Sequence, residues 1–278
     1  IPTLVPNRYA TAVFGLEEAR RMVRIYFPRT QARLRAYEVA IFSGGNIQGF
    51  DASQIEMVKS CVSDGMCAIT DIGGVSSSAE LWAEWLSSGI DSVFPNDVLA
   101  VTSAGKYRDD MPFRIKVSNS PELTEALRMF VPLGAEEVVG MNAYRMIPLQ
   151  GAQVWAVTLG NWPSAEPRPP WLLSWRYGKG LTWAIADAFT FQFWSSYEPL
   201  LAGVGKESTN RYALDMLMNL IFEGTGRQLP GDILLVHQVR ENLRVYVDTR
   251  STMYEVMNFL EKFGANTHPL NARIEGLE

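Results

Sequence analysis

Apolar residues come in short runs that stop at glycines, and that alternation sets the first elements. Tyr37-Glu-Val-Ala-Ile-Phe42 is followed by Ser43-Gly44-Gly45-Asn46, the pattern of a buried strand meeting a loop. Asp51 or Ser53 suits the cap of a following helix, in which Ile55, Val58 and Val62 share one face and Gly65 ends the run. Met66-Cys-Ala-Ile-Thr70 then reads as a second strand, running into Asp71-Ile72-Gly73-Gly74. Strand, helix and strand over so short a span predict a right-handed βαβ unit. Loops at the carboxyl ends of parallel strands are where such sheets take ligands, and both of these strands end in a glycine pair.

Farther along, Ser120-Pro121-Glu122 predicts a helix start that runs to about Phe130, and Val154–Leu159 predicts a strand. Trp171–Tyr177 and Leu181–Ala186 flank Gly178-Lys-Gly180, which predicts a hairpin, with Asp187 just past its second strand. Phe189, Phe191, Phe193, Trp194 and Tyr197 follow. Tyr212–Phe222 is apolar enough to be a largely buried helix. After Pro230 the pattern changes. Leu234–Val236 and Leu243–Val247 read as strands, Thr252-x-x-Glu255 as a capping box, and Val256, Phe259, Leu260 and Phe263 as the apolar stripe of a helix closed by Gly264. The expected division is residues 1–230 as the main domain and 231–278 as a small α/β appendage.

Composition narrows the classes of function. Of 278 residues, 47% are hydrophobic and 20% charged, an ordinary globular balance that supports a sizeable core. The net charge of −5 gives no general attraction to nucleic acid, and Lys and Arg do not cluster with the aromatic residues. Arg20, Arg21, Arg24, Arg29, Arg33 and Arg35 alternate with apolar positions, as on an amphipathic helix with a solvated face. Two cysteines, Cys61 and Cys67, do not make a disulfide scaffold or a structural zinc site, and no metal or cofactor is expected. The longest uncharged run, Met146–Ala165, is broken by Pro148 and Pro163 and does not read as a membrane span. The opening Ile-Pro-Thr has no basic start and does not read as a signal peptide. Eleven Met and eight Trp point to broad apolar surfaces.

Three stretches carry a family resemblance: Tyr37–Phe42, Val62-Ser-Asp-Gly-Met-Cys-Ala-Ile-Thr-Asp-Ile-Gly-Gly74, and Tyr177-Gly-Lys-Gly-Leu-Thr-Trp-Ala-Ile-Ala-Asp187. Their order over about Tyr37–Pro230 resembles the class I glutamine amidotransferase-like (flavodoxin-like) fold, in a degenerate branch found in prokaryotic, mostly archaeal, uncharacterised membrane-anchored proteins. The resemblance implies a three-layer α/β domain with a mostly parallel sheet. The segment Phe259-Leu-Glu-Lys-Phe-Gly-Ala-Asn-Thr267 is similar to one that precedes a membrane-spanning stretch in those proteins, so any membrane association would come through a segment outside this chain.

Active members of that family set a cysteine on a tight strand-to-helix turn and activate it with a His and a Glu. Here the matching turn carries Asp71 or Ile72 before Gly73-Gly74, Asp187-Ala188 stands where the His would fall, and neither His237 nor His268 has a Glu two residues on. No catalytic residue of the family pattern is present. Cys67 lies inside a strand and reads as a core thiol, and Cys61 as a core thiol of a helix.

The remaining candidates are Asp71 and Asp187 at two strand ends, with Gly44, Gly45, Gly73 and Gly74 as loop positions. Two carboxylates in one crevice suit a cation, a polar ligand or acid–base work, and would need to lie within about 8 Å of each other. The plainer reading is that each accepts loop N–H bonds and only holds its turn. The glycine pairs match neither a dinucleotide fingerprint nor a phosphate loop. Trp194, Phe259 and Phe263 are interface candidates. Two functions follow: a non-catalytic binding or assembly module that meets a protein partner or its own copy, or a hydrolase or amidotransferase-like enzyme rebuilt around Asp71 and Asp187.

Overall fold

The structure is a computed structural model that describes residues 16–42, 47, 49–72, 79–95, 113–117, 137–140, 146–159, 170–186, 213–228 and 230–275. The helix predicted over 121–130 lies outside the described residues. The chain divides into two compact units, Ile1–Gln228 and Leu229–Glu278. In the first, the elements are α1 (Leu16–Tyr26), α2 (Gln31–Leu34), β1 (Val39–Phe42), α3 (Ala52–Asp64), β2 (Cys67–Asp71), α4 (Ala79–Ser88), a 3₁₀ turn (Ile90–Val93), β3 (Phe113–Val117), β4 (Glu137–Gly140), β5 (Gln153–Leu159), β6 (Pro170–Tyr177), β7 (Gly180–Ile185) and α5 (Ala213–Gly224). The second holds α6 (Gly231–Lys262) and α7 (His268–Glu275).

The seven strands form one mixed sheet in the order β1-β2-β7-β6-β5-β3-β4. Only β1 with β2 and β2 with β7 pair in parallel; β7–β6, β6–β5, β5–β3 and β3–β4 are antiparallel. The expectation of a mostly parallel sheet is therefore corrected. A turn as short as Gly178-Lys179 can join only antiparallel strands, and the strands beyond β7 continue that sense. The βαβ unit is as the sequence predicts, with Val39 beside Cys67 and Phe42 beside Thr70. Asp51 caps α3 in a full capping box: its carboxylate accepts from the Gln54 N–H at 2.9 Å, while the Gln54 side chain accepts from the Asp51 N–H.

Helices cover both faces of the sheet around β2 and β7. Cys67, Ile69 and Asp71 share one face with Trp183 and Ile185, and α5 lies there. A Cβ at Gly224 would sit 2.2 Å from the Cys67 sulfur, so this close approach of helix and strand requires glycine. The opposite face carries Phe42, Thr70 and Ala184, with Phe42 meeting Trp85 of α4 and Phe94 edge-on, each at 5.9 Å. The hairpin turn docks on α3. Lys179 N–H donates to the Ser63 carbonyl at 2.8 Å, Gly178 has φ +60°, and a Cβ at Gly180 would lie 2.3 Å from the Val62 carbonyl oxygen. The Gly-x-Gly that signals a hairpin in the sequence thus also lets the turn sit on a helix end. At the N-terminus, Val23, Phe27 and Leu34 are buried and Phe27 meets Phe50 edge-on at 5.3 Å, while Ile25 and Tyr26 are exposed.

The second unit differs from the expectation. Leu234–Val236 and Leu243–Val247 are helical, and Thr252 sits in mid-helix rather than at a cap, so the appendage is all helix among its described residues. A short apolar run reads equally as strand or buried helix. What decides here is the absence of Gly and Pro from 232 to 263, which lets helical bonding run through 32 residues. After a turn at 263–267, the Thr267 hydroxyl donates to the Glu261 carboxylate, and Met257 of α6 and Ile274 of α7 are buried.

Candidate functional site

Asp71 is the last residue of β2 and is wholly buried, at 0% exposure. It sits in register with Ile185, at the carboxyl ends of two adjacent parallel strands. A carboxyl group there costs free energy unless polar groups meet it, so its place is set by its surroundings and not by chain propensity alone. Asp187, Gly44, Gly45, Gly73, Gly74 and Trp194 lie outside the described residues, and with them the other side of the proposed crevice.

The two thiols are placed clearly. Cys67 opens β2 at 0% exposure, and burial pushes its thiol up to about 12. It stands four positions before Asp71, at the opposite end of the strand from the turn where a family nucleophile would sit. Cys61 is buried in α3 and its thiol is also raised by burial. Both cysteines are free of disulfide bonds. A thiolate is the reactive form, and neither site favours it.

Three polar groups lie on or against the α5-covered face. Trp155 donates its indole N–H to the Ser174 hydroxyl at 2.6 Å, and its ring lies 5.9 Å from that of Trp183. A register shift in β5 between Val154 and Ala156 puts it there. The Trp183 Nε1 and both amide atoms of Asn219 are buried without a hydrogen-bond partner among the described residues. Asn219 is 1% exposed in α5, within the run that the sequence reads simply as a buried apolar helix. A polar residue inside such a run is the signal that marks it. Among the described residues no group of three or more His, Cys, Asp and Glu side chains is arranged to hold a metal ion.

The C-terminal unit presents the opposite environment. Among the described residues ten large apolar side chains of α6 are exposed, Phe259 among them, and Phe263 at its C-cap is exposed at 75%. Those two rings pack on each other at 4.8 Å. Val256 and Leu260, the rest of the predicted stripe, are exposed as well. No helix among the described residues is long and apolar enough to cross a membrane: α6 has the length, but its charged residues rule it out.

No protein-family model and no curated protein matches the chain. Two solved structures resemble it with a TM-score of 0.50 and 17% identity. One, described as a cytoplasmic protein from Salmonella typhimurium, aligns over 73% of this chain and 77% of its own. The other, a cytoplasmic protein from Salmonella typhimurium LT2, aligns over 72% of this chain and 76% of its own. At that identity the likeness is one of fold, and the chain is an α/β protein with the architecture those two share.

Proposed function

We propose that this chain is a non-catalytic module related to the class I glutamine amidotransferases, which works by contact with protein through its C-terminal helix. The burial of Cys67 carries the reading. The one thiol on the strand that leads to the family's nucleophile turn lies under Gly224, with no solvent exposure and its ionisation pushed up to about 12. Thiol catalysis needs an exposed thiolate with a base beside it, and this thiol has neither the exposure nor the ionisation. The sequence supports the same reading, since the His and Glu of the family pattern are missing. The exposed apolar residues of α6 supply the positive half, a surface suited to a partner. Membrane display through a segment outside this chain rests on the likeness of Phe259–Thr267 to the membrane-anchored proteins alone.

Ammonia release from glutamine tests the reading, with Cys67→Ala as the control. The expected result is no release above background from either protein. Release that disappears with Cys67→Ala overturns the non-catalytic reading. Release that survives Cys67→Ala and disappears with Asp71→Asn instead favours an enzyme rebuilt on the strand-end carboxylates.

A further inference from the structure

The apolar face of α6 has an internal order that identifies its partner. Val239, Tyr246, Met253 and Leu260 recur every seventh residue, and all four are exposed. A second exposed row, Leu235, Asn242, Thr249, Val256 and Phe263, recurs at the same interval. The rows interleave at alternating steps of four and three, which is the seam of a two-helix coiled coil. From Val239 to Leu260 the first row is wholly apolar, one step before it stands Asp232 in the first turn of the helix, and both polar seam residues between 235 and 263 fall in the second row. That asymmetry fixes direction. In an antiparallel pair the rows pack against each other, so Asn242 and Thr249 would face Val, Tyr, Met or Leu in every register and lose their hydrogen bonds. In a parallel, in-register pair each row faces its own copy, and Asn242 meets Asn242 while Thr249 meets Thr249. The amides and hydroxyls then bond each other.

Two further observations bear on the occupant. Glu261, on the Met257 side of the helix, accepts from Thr267, and Met257 is buried, so the return after residue 263 occupies a side adjacent to the seam and leaves the seam open. Across α6 five carboxylates (Asp232, Glu241, Asp248, Glu255 and Glu261) balance four cations (Arg240, Arg244, Arg250 and Lys262), which gives little attraction to an anionic lipid surface. We infer that α6 pairs with α6 of a second copy of this chain as a parallel, in-register two-helix coiled coil, with Asn242 setting the register. This rests on the protein-contact reading above, and deepens it by naming the partner.

Disulfide trapping in the full chain tests it. Leu235→Cys and Phe263→Cys, each oxidised alone, should each give a covalent dimer. Mixed together they should give no link between the two positions, which stand roughly 42 Å apart along one helix. Asn242→Lys should weaken the dimer by at least about tenfold in sedimentation, because it sets like charges face to face; Glu241→Lys, away from the seam, should leave it unchanged. A mixed link between positions 235 and 263 overturns the parallel pair while leaving self-association in place. A wild-type chain that stays monomeric through the micromolar range overturns the second copy as occupant, whether the face is covered by residues 1–228 or by nothing. Neither result touches the ammonia assay, so failure of this inference and failure of the non-catalytic reading are told apart.

Discussion

β2 and α6 are both rich in apolar residues, yet every residue of Cys67–Asp71 is buried whereas α6 exposes ten large apolar side chains among its described residues. The difference lies in what covers them. β2 has a strand on each side and helices on both faces, so its thiol and its carboxyl group are sealed in along with Ile69. A single helix has no such neighbours, and its stripe needs a partner to leave water. Apolar content alone therefore does not separate a core from an exposed face; the arrangement of the residues around it does.

The largest expected effect strikes the sealed region. Trp183→Ala should cost about 3–5 kcal/mol in denaturant unfolding, as a fully buried aromatic at the centre of the sheet. A loss under about 1 kcal/mol would mean that this centre is loosely packed. Gly180→Ala comes next, at about 1–3 kcal/mol, because the new methyl meets the Val62 and Met66 carbonyls, which are backbone and cannot swing aside. Phe259→Ser should leave the unfolding of residues 1–228 within about 0.5 kcal/mol of wild type. A Phe259 effect as large as that of Trp183 would abolish the contrast between the two regions.

Asn219→Leu sharpens the comparison in the other direction. A buried amide without partners is a cost, so this exchange should stabilise the fold by about 1 kcal/mol. A loss of stability would show that the amide is satisfied in solution. Asp51→Ala should cost about 1 kcal/mol through loss of the cap. Bonds from the Ser53 hydroxyl and the Gln54 N–H hold the Asp51 carboxyl below its usual 3.8, so its contribution is present above that value and is lost as pH falls through the lowered one. Comparing acid unfolding of wild type and Asp51→Ala reads this difference.

The Cys67 effect is absent at neutral pH and has a clear sign. Its folded thiol is raised from 9.0 to about 12, so the neutral form contributes fully below pH 9 and the contribution fades as pH rises toward 12. Iodoacetamide at neutral pH should label Cys67 only after unfolding. Rapid labelling of the native chain would show that the strand is open to solvent.

The sequence shows the βαβ unit and the hairpin because their signals are local: short apolar runs, Asp51 at a helix start, glycines at a helix end and in a tight turn. Strand direction past the hairpin depends on pairing, which no single run encodes, and so the sheet is less parallel than expected. β3, Phe113-Arg-Ile-Lys-Val117, is not among the strands expected from the sequence, although its apolar and charged residues alternate with the period of two that marks a strand. β4 is four residues long and offers no comparable pattern. In the tail, two apolar runs read alone mimic strands, while the seven-residue repeat that links them runs from Leu235 to Phe263. Of the candidate site, the core character of Cys67 is legible from its place inside an apolar run, and Asn219 stands out as a polar residue inside another, whereas the burial of its amide is seen only once α5 is packed on the sheet.

Sedimentation of the full wild-type chain over a range of micromolar concentrations tests the central claim most directly, that the exposed face of α6 is covered by a second copy of the chain. The account predicts a reversible shift with concentration from the 31.1 kDa chain to a species of twice that mass. A single 31.1 kDa species at every concentration would contradict it.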